Sequence, residues 1–70
     1  MGFEGTAFID REEGKYVARC PELGVTSRGE TMLEVLERLR ADVKAHLESG
    51  GEAVSDTDIH LSVMRVEVEL

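Results

Sequence analysis

The stretch "YVARCPELGVTSRGET", Tyr16 to Thr31, holds the only proline, the only cysteine and the only tyrosine of the 70-residue chain, with two of its seven glycines. Its first part alternates: Tyr16, Ala18 and Cys20 share one side and Val17 and Arg19 the other, the two-residue period of a strand spanning residues 15–20. Pro21 has no N–H to give a ladder, so it closes that strand or marks a sheet edge. Gly24 lets the chain reverse before "VTS" opens a short third strand, and Gly29 permits the tight corner that follows. Thr31 and Glu34, three residues apart, form a capping box that starts a helix.

Downstream, Met32, Leu36, Leu39, Val43 and Leu47 recur at helical spacing as an apolar stripe, widened by Leu33 and Val35, while Glu34, Glu37, Arg38, Arg40 and Lys44 occupy the remaining surface. Glu34 and Arg38 are an i, i+4 pair in the favourable order. Ser49-Gly50-Gly51 ends the helix, because glycine takes the left-handed cap conformation without steric cost. After the polar loop "EAVSDTD", the tail "IHLSVMRVEVEL" alternates strongly, with Met64, Val66, Val68 and Leu70 in one phase and Arg65, Glu67 and Glu69 in the other. Leu61 and Val63 belong to the opposite phase, which predicts either a bulge near Val63 and Met64 or a strand covered on a second face.

Upstream, "FEGTAFID", residues 3–10, places Ala7 and Ile9 on one face and Thr6, Phe8 and Asp10 on the other, and "REEG" supplies a polar turn. The predicted order is β-β-β-α-β: an α+β fold of two layers, an antiparallel sheet with one helix packed across it, in a single domain covering residues 1–70. Tyr16 and Leu23 are expected to fill core beside the helix stripe.

A core this small only about balances conformational entropy, so a further tie is needed. One cysteine excludes an internal disulfide and a cysteine-rich zinc site, which leaves self-association as the expected remedy, a homodimer or higher homo-oligomer. The lone thiol and the lack of a basic, apolar leader suit a cytoplasmic protein, and no apolar run is long enough for a membrane helix. The net charge of −7, from 15 acidic against 8 basic residues, repels phosphate backbones, disfavours direct nucleic-acid binding and attracts a basic protein partner.

Enzymatic patterns are weak. Asp10, Glu12 and Glu13 cluster at the first turn, where carboxylates are ordinarily solvated rather than converged on Mg²⁺. Asp56, Asp58 and His60 would share a side if extended, a conceivable metal site, although polar residues before a strand more often form a loop. His46 beside the helix stripe reads as a partly buried, hydrogen-bonded residue, and Cys20 as core packing. There is no phosphate-binding glycine loop and no nucleophile elbow. No catalytic residue, metal or cofactor is expected.

Residues 15 to about 48 resemble the HicB-like antitoxin family, whose members carry a Tyr-Val-Ala-x-Cys-Pro-Glu-Leu strand and turn, a Ser/Thr-x-Gly-Asp/Glu-Thr corner and a Leu-Glu-Glu-Ala-Leu type of helix; the matching positions are Tyr16, Pro21, Glu22, Leu23, Gly29 and Thr31. The resemblance implies a protein that binds a small basic ribonuclease toxin of the HicA type, which resembles a double-stranded-RNA-binding fold and cleaves RNA with a histidine, and occludes its active surface. Glu22, Glu30, Glu34 and Glu37 are the expected partner-binding residues. Many such antitoxins carry a further DNA-binding segment. This sequence stops at Leu70, directly after its last strand, so operator binding by the chain alone is not expected. The alternative is an orphan, self-associating structural domain with neither enzymatic activity nor a toxin partner.

Overall fold

In the computed structural model, which describes residues 2–65, strand β1 (Phe3–Glu12) leads through a two-residue turn into β2 (Lys15–Cys20). A four-residue turn follows, then β3 (Val25–Gly29), helix α1 (Met32–Ser49), one turn of 3₁₀ helix at Asp56–Asp58, and β4 (Ile59–Arg65). The β-β-β-α-β order is as expected, and β1 runs two residues beyond the expected Asp10.

The turn after β1 explains that extension. Glu12 still pairs with Lys15, so only Glu13 and Gly14 remain for the reversal. Both take positive φ, 53° and 81°, the pattern of a type I′ hairpin turn whose twist matches the strands it joins. The next reversal uses Cys20, whose carbonyl accepts the Leu23 N–H at 3.2 Å, and Gly24 at φ 67°. Pro21 lies just past the strand end, where no ladder N–H is required.

The sheet order is β3-β2-β1-β4, with β1/β2 and β2/β3 antiparallel but β1/β4 parallel. The sheet is therefore mixed, which corrects the expectation of an antiparallel one. The cause is the helix: β3 runs the same way as β1, and α1, 18 residues or about 27 Å long, carries the chain back to the starting end, so β4 must repeat the direction of β3. Parallel neighbours need such a crossover.

The β1/β4 register runs unbroken from Phe3↔Ile59 to Ile9↔Arg65, so the described part of β4 contains no bulge. Ile59, Leu61 and Val63 share the helix-facing side with Ala7 and Ile9, whereas Met64 stands on the open face, 54% exposed, beside Phe8. The expected phase of Val66, Val68 and Leu70 lies outside the described residues.

The core forms between α1 and the sheet. Ala7, Ile9, Ala18, Cys20 and Ile59 meet Val35, Leu39, Val43 and Leu47, with Tyr16, Leu23, Met32 and Leu36 half-buried around them. The buried helix row thus recurs every four residues from Val35; Met32 and Leu36 are its flank, and Leu33, expected to widen the stripe, is 69% exposed. Val17 is also buried, but on the open face, at the floor of a groove walled by Glu12, Lys15 and Arg28.

The caps follow local chemistry. The Glu34 N–H donates to Thr31 Oγ1 at 3.1 Å, and the Glu34 carboxylate returns to the N–H of Glu30, one residue earlier than the standard box. At the other end Glu52 N–H reaches Leu47 O and Gly51 N–H reaches Glu48 O, a Schellman motif in which Gly51, at φ 91°, is the left-handed residue.

Gly29 serves closeness rather than a turn. A Cβ there would lie 2.9 Å from the Val35 backbone nitrogen and 3.1 Å from its Cα, so α1 rests directly on β3 at this point. Tyr16, its cross-strand partner, fills the space beside it. Gly29→Ala should therefore lower stability by about 1–3 kcal/mol, since backbone must move to admit the methyl. Glu13→Asn, relieving a positive φ in an otherwise unchanged turn, should raise it by roughly 0.5–1 kcal/mol. Urea unfolding followed by circular dichroism checks both; an unchanged midpoint for Gly29→Ala would mean the helix is not seated as described.

Candidate functional site

The four glutamates expected to meet a partner are not one patch. Glu22 sits in the β2–β3 turn and Glu30 at the far end of β3, a five-residue strand of about 17 Å. Glu30, Glu34 and Glu37 lie together on the corner and first turns of α1. Glu34 is committed there: besides its bond to the Glu30 N–H, its carboxylate pairs with Arg38 at 3.4 Å, the expected i, i+4 pair. Arg38 in turn donates to the Arg28 carbonyl on β3 at 3.0 Å, tying the helix to the sheet edge. Among the described residues the Glu30 and Glu37 carboxylates accept no protein hydrogen bond, and both side chains are exposed. Glu37 faces β4, beside a shallow groove lined by Leu33, Leu36, Arg40, Leu61 and Val63.

Glu22 has a structural task that its sequence position conceals. Beyond Cys20, β2 leaves the sheet, and Thr6 on β1 loses its ladder partner there. The Glu22 carboxylate supplies one: Oε1 accepts the Thr6 N–H at 3.1 Å and Oε2 the Thr6 hydroxyl at 3.0 Å. An anionic side chain thus replaces a missing backbone carbonyl, which explains why proline can precede it without leaving the β1 edge bare. Hydrogen bonding from the Thr6 N–H, then from its own N–H, holds the Glu22 carboxyl below the usual carboxylate range. The buried Cys20 thiol donates to the same carboxylate at 3.6 Å; burial first, and then the neighbouring Glu22, push its pKa up, which favours the thiol over the thiolate.

A second linkage escaped the sequence reading. Buried Ser27 on β3 donates its hydroxyl in a short bond to Asp42 on the exposed flank of α1. Ser27 and Asp42 are 15 residues apart, and neither belongs to a recognisable pattern.

The candidate catalytic and metal groups that are described are engaged mostly by near neighbours. Asp10 accepts its neighbour's Arg11 N–H at 2.7 Å, Glu12 pairs with Arg19 at 3.6 Å, and Glu13 is the turn residue. Asp58 folds back on Ser55, accepting its N–H and its hydroxyl, which lowers the Asp58 pKa. His60 stands on the open sheet face opposite Glu4, and the Asp56 side chain lies outside the described residues. Among the described residues no three His, Cys, Asp or Glu side chains are grouped to hold a metal ion. His46, expected to be partly buried and hydrogen-bonded through its ring, is exposed instead, because the buried row runs through Val43 and Leu47.

With a mixed four-stranded sheet, one helix and an acidic corner in place, comparison with protein families matches residues 2–69 to the model of a family of unknown function, DUF7387. The chain belongs to that family. Neither curated proteins nor solved structures gave a match. The DUF7387 match spans every described element, β1 through β4. None of the described helices of this DUF7387 chain is long and apolar enough to cross a membrane.

The Glu22 bridge carries a pH signature. Because its carboxyl titrates lower in the folded than in the unfolded chain, its stabilisation is complete above the ordinary carboxylate range and is lost as pH falls through that range towards the folded value. Glu22→Gln, which can accept only one of the two Thr6 bonds, should lower the melting temperature at neutral pH and flatten the acid limb of a melting-temperature profile. Asp58, shifted the same way, should leave part of that limb. A profile superimposable on that of the parent chain would show that the bridge does not persist in solution.

Proposed function

We propose that the chain is a HicB-like antitoxin: a non-enzymatic, cytoplasmic binding protein that docks on a small, basic, HicA-like RNA-cleaving toxin and occludes its active surface. The observation that carries this reading is an acidic corner on an acidic protein. Residues 15–48, which resemble the family, form β2, the Pro21 turn, β3 and almost all of α1, and they carry the exposed Glu30 and Glu37 on a chain of net charge −7. A helix start favours acidic side chains for its own stability, so Glu34 is explained by capping and by Arg38. Glu30 and Glu37 are not required by the fold, and they are the carboxylates left to meet lysine or arginine on a partner. Charge of this kind accelerates encounter and selects a basic surface, while apolar contact and excluded volume do the blocking. The chain itself binds no nucleic acid in this scheme, since a surface with that acidic excess repels phosphates and has few cations to neutralise them.

The test mixes the purified chain with the product of the adjacent reading frame and follows RNA cleavage. Equimolar chain should suppress cleavage, inhibition should weaken as salt rises, and Glu30→Lys should raise the concentration needed by about tenfold. Cleavage undiminished at excess chain would overturn the proposal and leave the orphan-domain reading in its place.

A further inference from the structure

The two open edges of the sheet are defended unequally. On β3, five residues long, Arg38 occupies the Arg28 carbonyl, Asp42 holds Ser27, and Gly29 is pressed under the helix. Strand β4 is longer, seven residues, with no proline and no acidic or basic residue from Ile59 to Met64 apart from His60. Natural sheets normally blunt such an edge with charge, proline or a covering element. Here the covering element is displaced, because α1 packs chiefly against β3 and β2 and only touches β4. The result is an apolar groove between α1 and β4 in which Leu33 is 69% and Val63 48% exposed, with Leu36 and Leu61 half-buried beneath them.

We infer that a second copy of this chain covers that groove, the two β4 strands pairing edge to edge about a two-fold axis normal to the sheet. Such an axis makes the paired strands antiparallel and keeps both helices on one face, so Leu33, Leu36, Leu61 and Val63 of one copy close against the same side chains of the other. Two four-stranded sheets become one of eight. The charges on the rim fit their own image. Glu37 and Arg40 border the groove with opposite signs one helical turn apart, and a two-fold sets the Glu37 of one copy against the Arg40 of the other. Arg40 is already held in place by its bond to the Ile59 carbonyl at 2.9 Å, which presents its guanidinium beside β4. Pairing also offers partners to backbone groups along the β4 edge beyond the Ile59 carbonyl, which Arg40 already occupies, and it requires no basic toxin.

Sedimentation equilibrium of the full chain at micromolar concentration tests it. The parent should show twice the chain mass. Leu33→Ser and Val63→Lys should each restore the single-chain mass with unchanged far-ultraviolet circular dichroism, whereas Thr26→Lys, on the β3 edge, should remain dimeric. Leu33 is so exposed in the single chain that its replacement cannot unfold it, so it decides the matter if Val63→Lys fails to fold. A monomeric parent, an open-ended series of larger assemblies, or dimers that survive Leu33→Ser at the lowest measurable concentration would each overturn the inference.

Discussion

The structure depends on how closely α1 can approach the sheet. The floor beneath it is built from small side chains, Ala7, Ala18, Cys20, Ser27 and finally Gly29, where the helix backbone at Val35 lies within contact of where a methyl would be. Small residues let backbones come together, and dispersion rises steeply with closeness, so the helix settles where that floor is lowest. That place is over β2 and β3. Everything else in the architecture adjusts to it: the row Val35, Leu39, Val43 and Leu47 becomes the buried one, Met32 and Leu36 become its flank, and Leu33 is turned out to solvent.

The same seating links the two ends of β3 to different tasks. At one end the helix start, with its Thr31 cap and the Glu34–Arg38 pair, presents Glu30 and Glu37 to the surroundings. At the other end the turn after Pro21 spends its acid internally, because Glu22 stands in for the carbonyl that β2 no longer offers to Thr6. Acidity that looks uniform in composition is thus divided between side chains that complete the fold and side chains that remain available. Net charge alone does not reveal that division.

A thin core and an off-centre helix also have a common consequence at β4. Burial that a larger domain would obtain from more chain is here left incomplete along one edge, and the residues there are apolar rather than gated by charge. Ile59 is fully inside, Leu61 half inside and Val63 half outside, so burial declines along the strand. Self-association draws on the groove and toxin binding on the corner around Glu30, and the two surfaces meet at Glu37, which borders the groove.

Features decided within a few residues were legible in the sequence: the β2 alternation, the Pro21 stop, the Thr31 cap, the Gly50-Gly51 terminus and the helix between them. Their hydrogen bonds join near neighbours, so the residue types at fixed offsets state them directly. Tertiary structure alone decided that β4 runs parallel to β1, that Glu22 serves Thr6 across 16 residues, that Ser27 meets Asp42 across 15, and that Leu33 faces out. The β1–β2 hairpin brings Glu22 to Thr6, and the crossover of α1 with its seating over small side chains decides the other three. A linear pattern records which face is apolar but not which neighbour arrives to cover it.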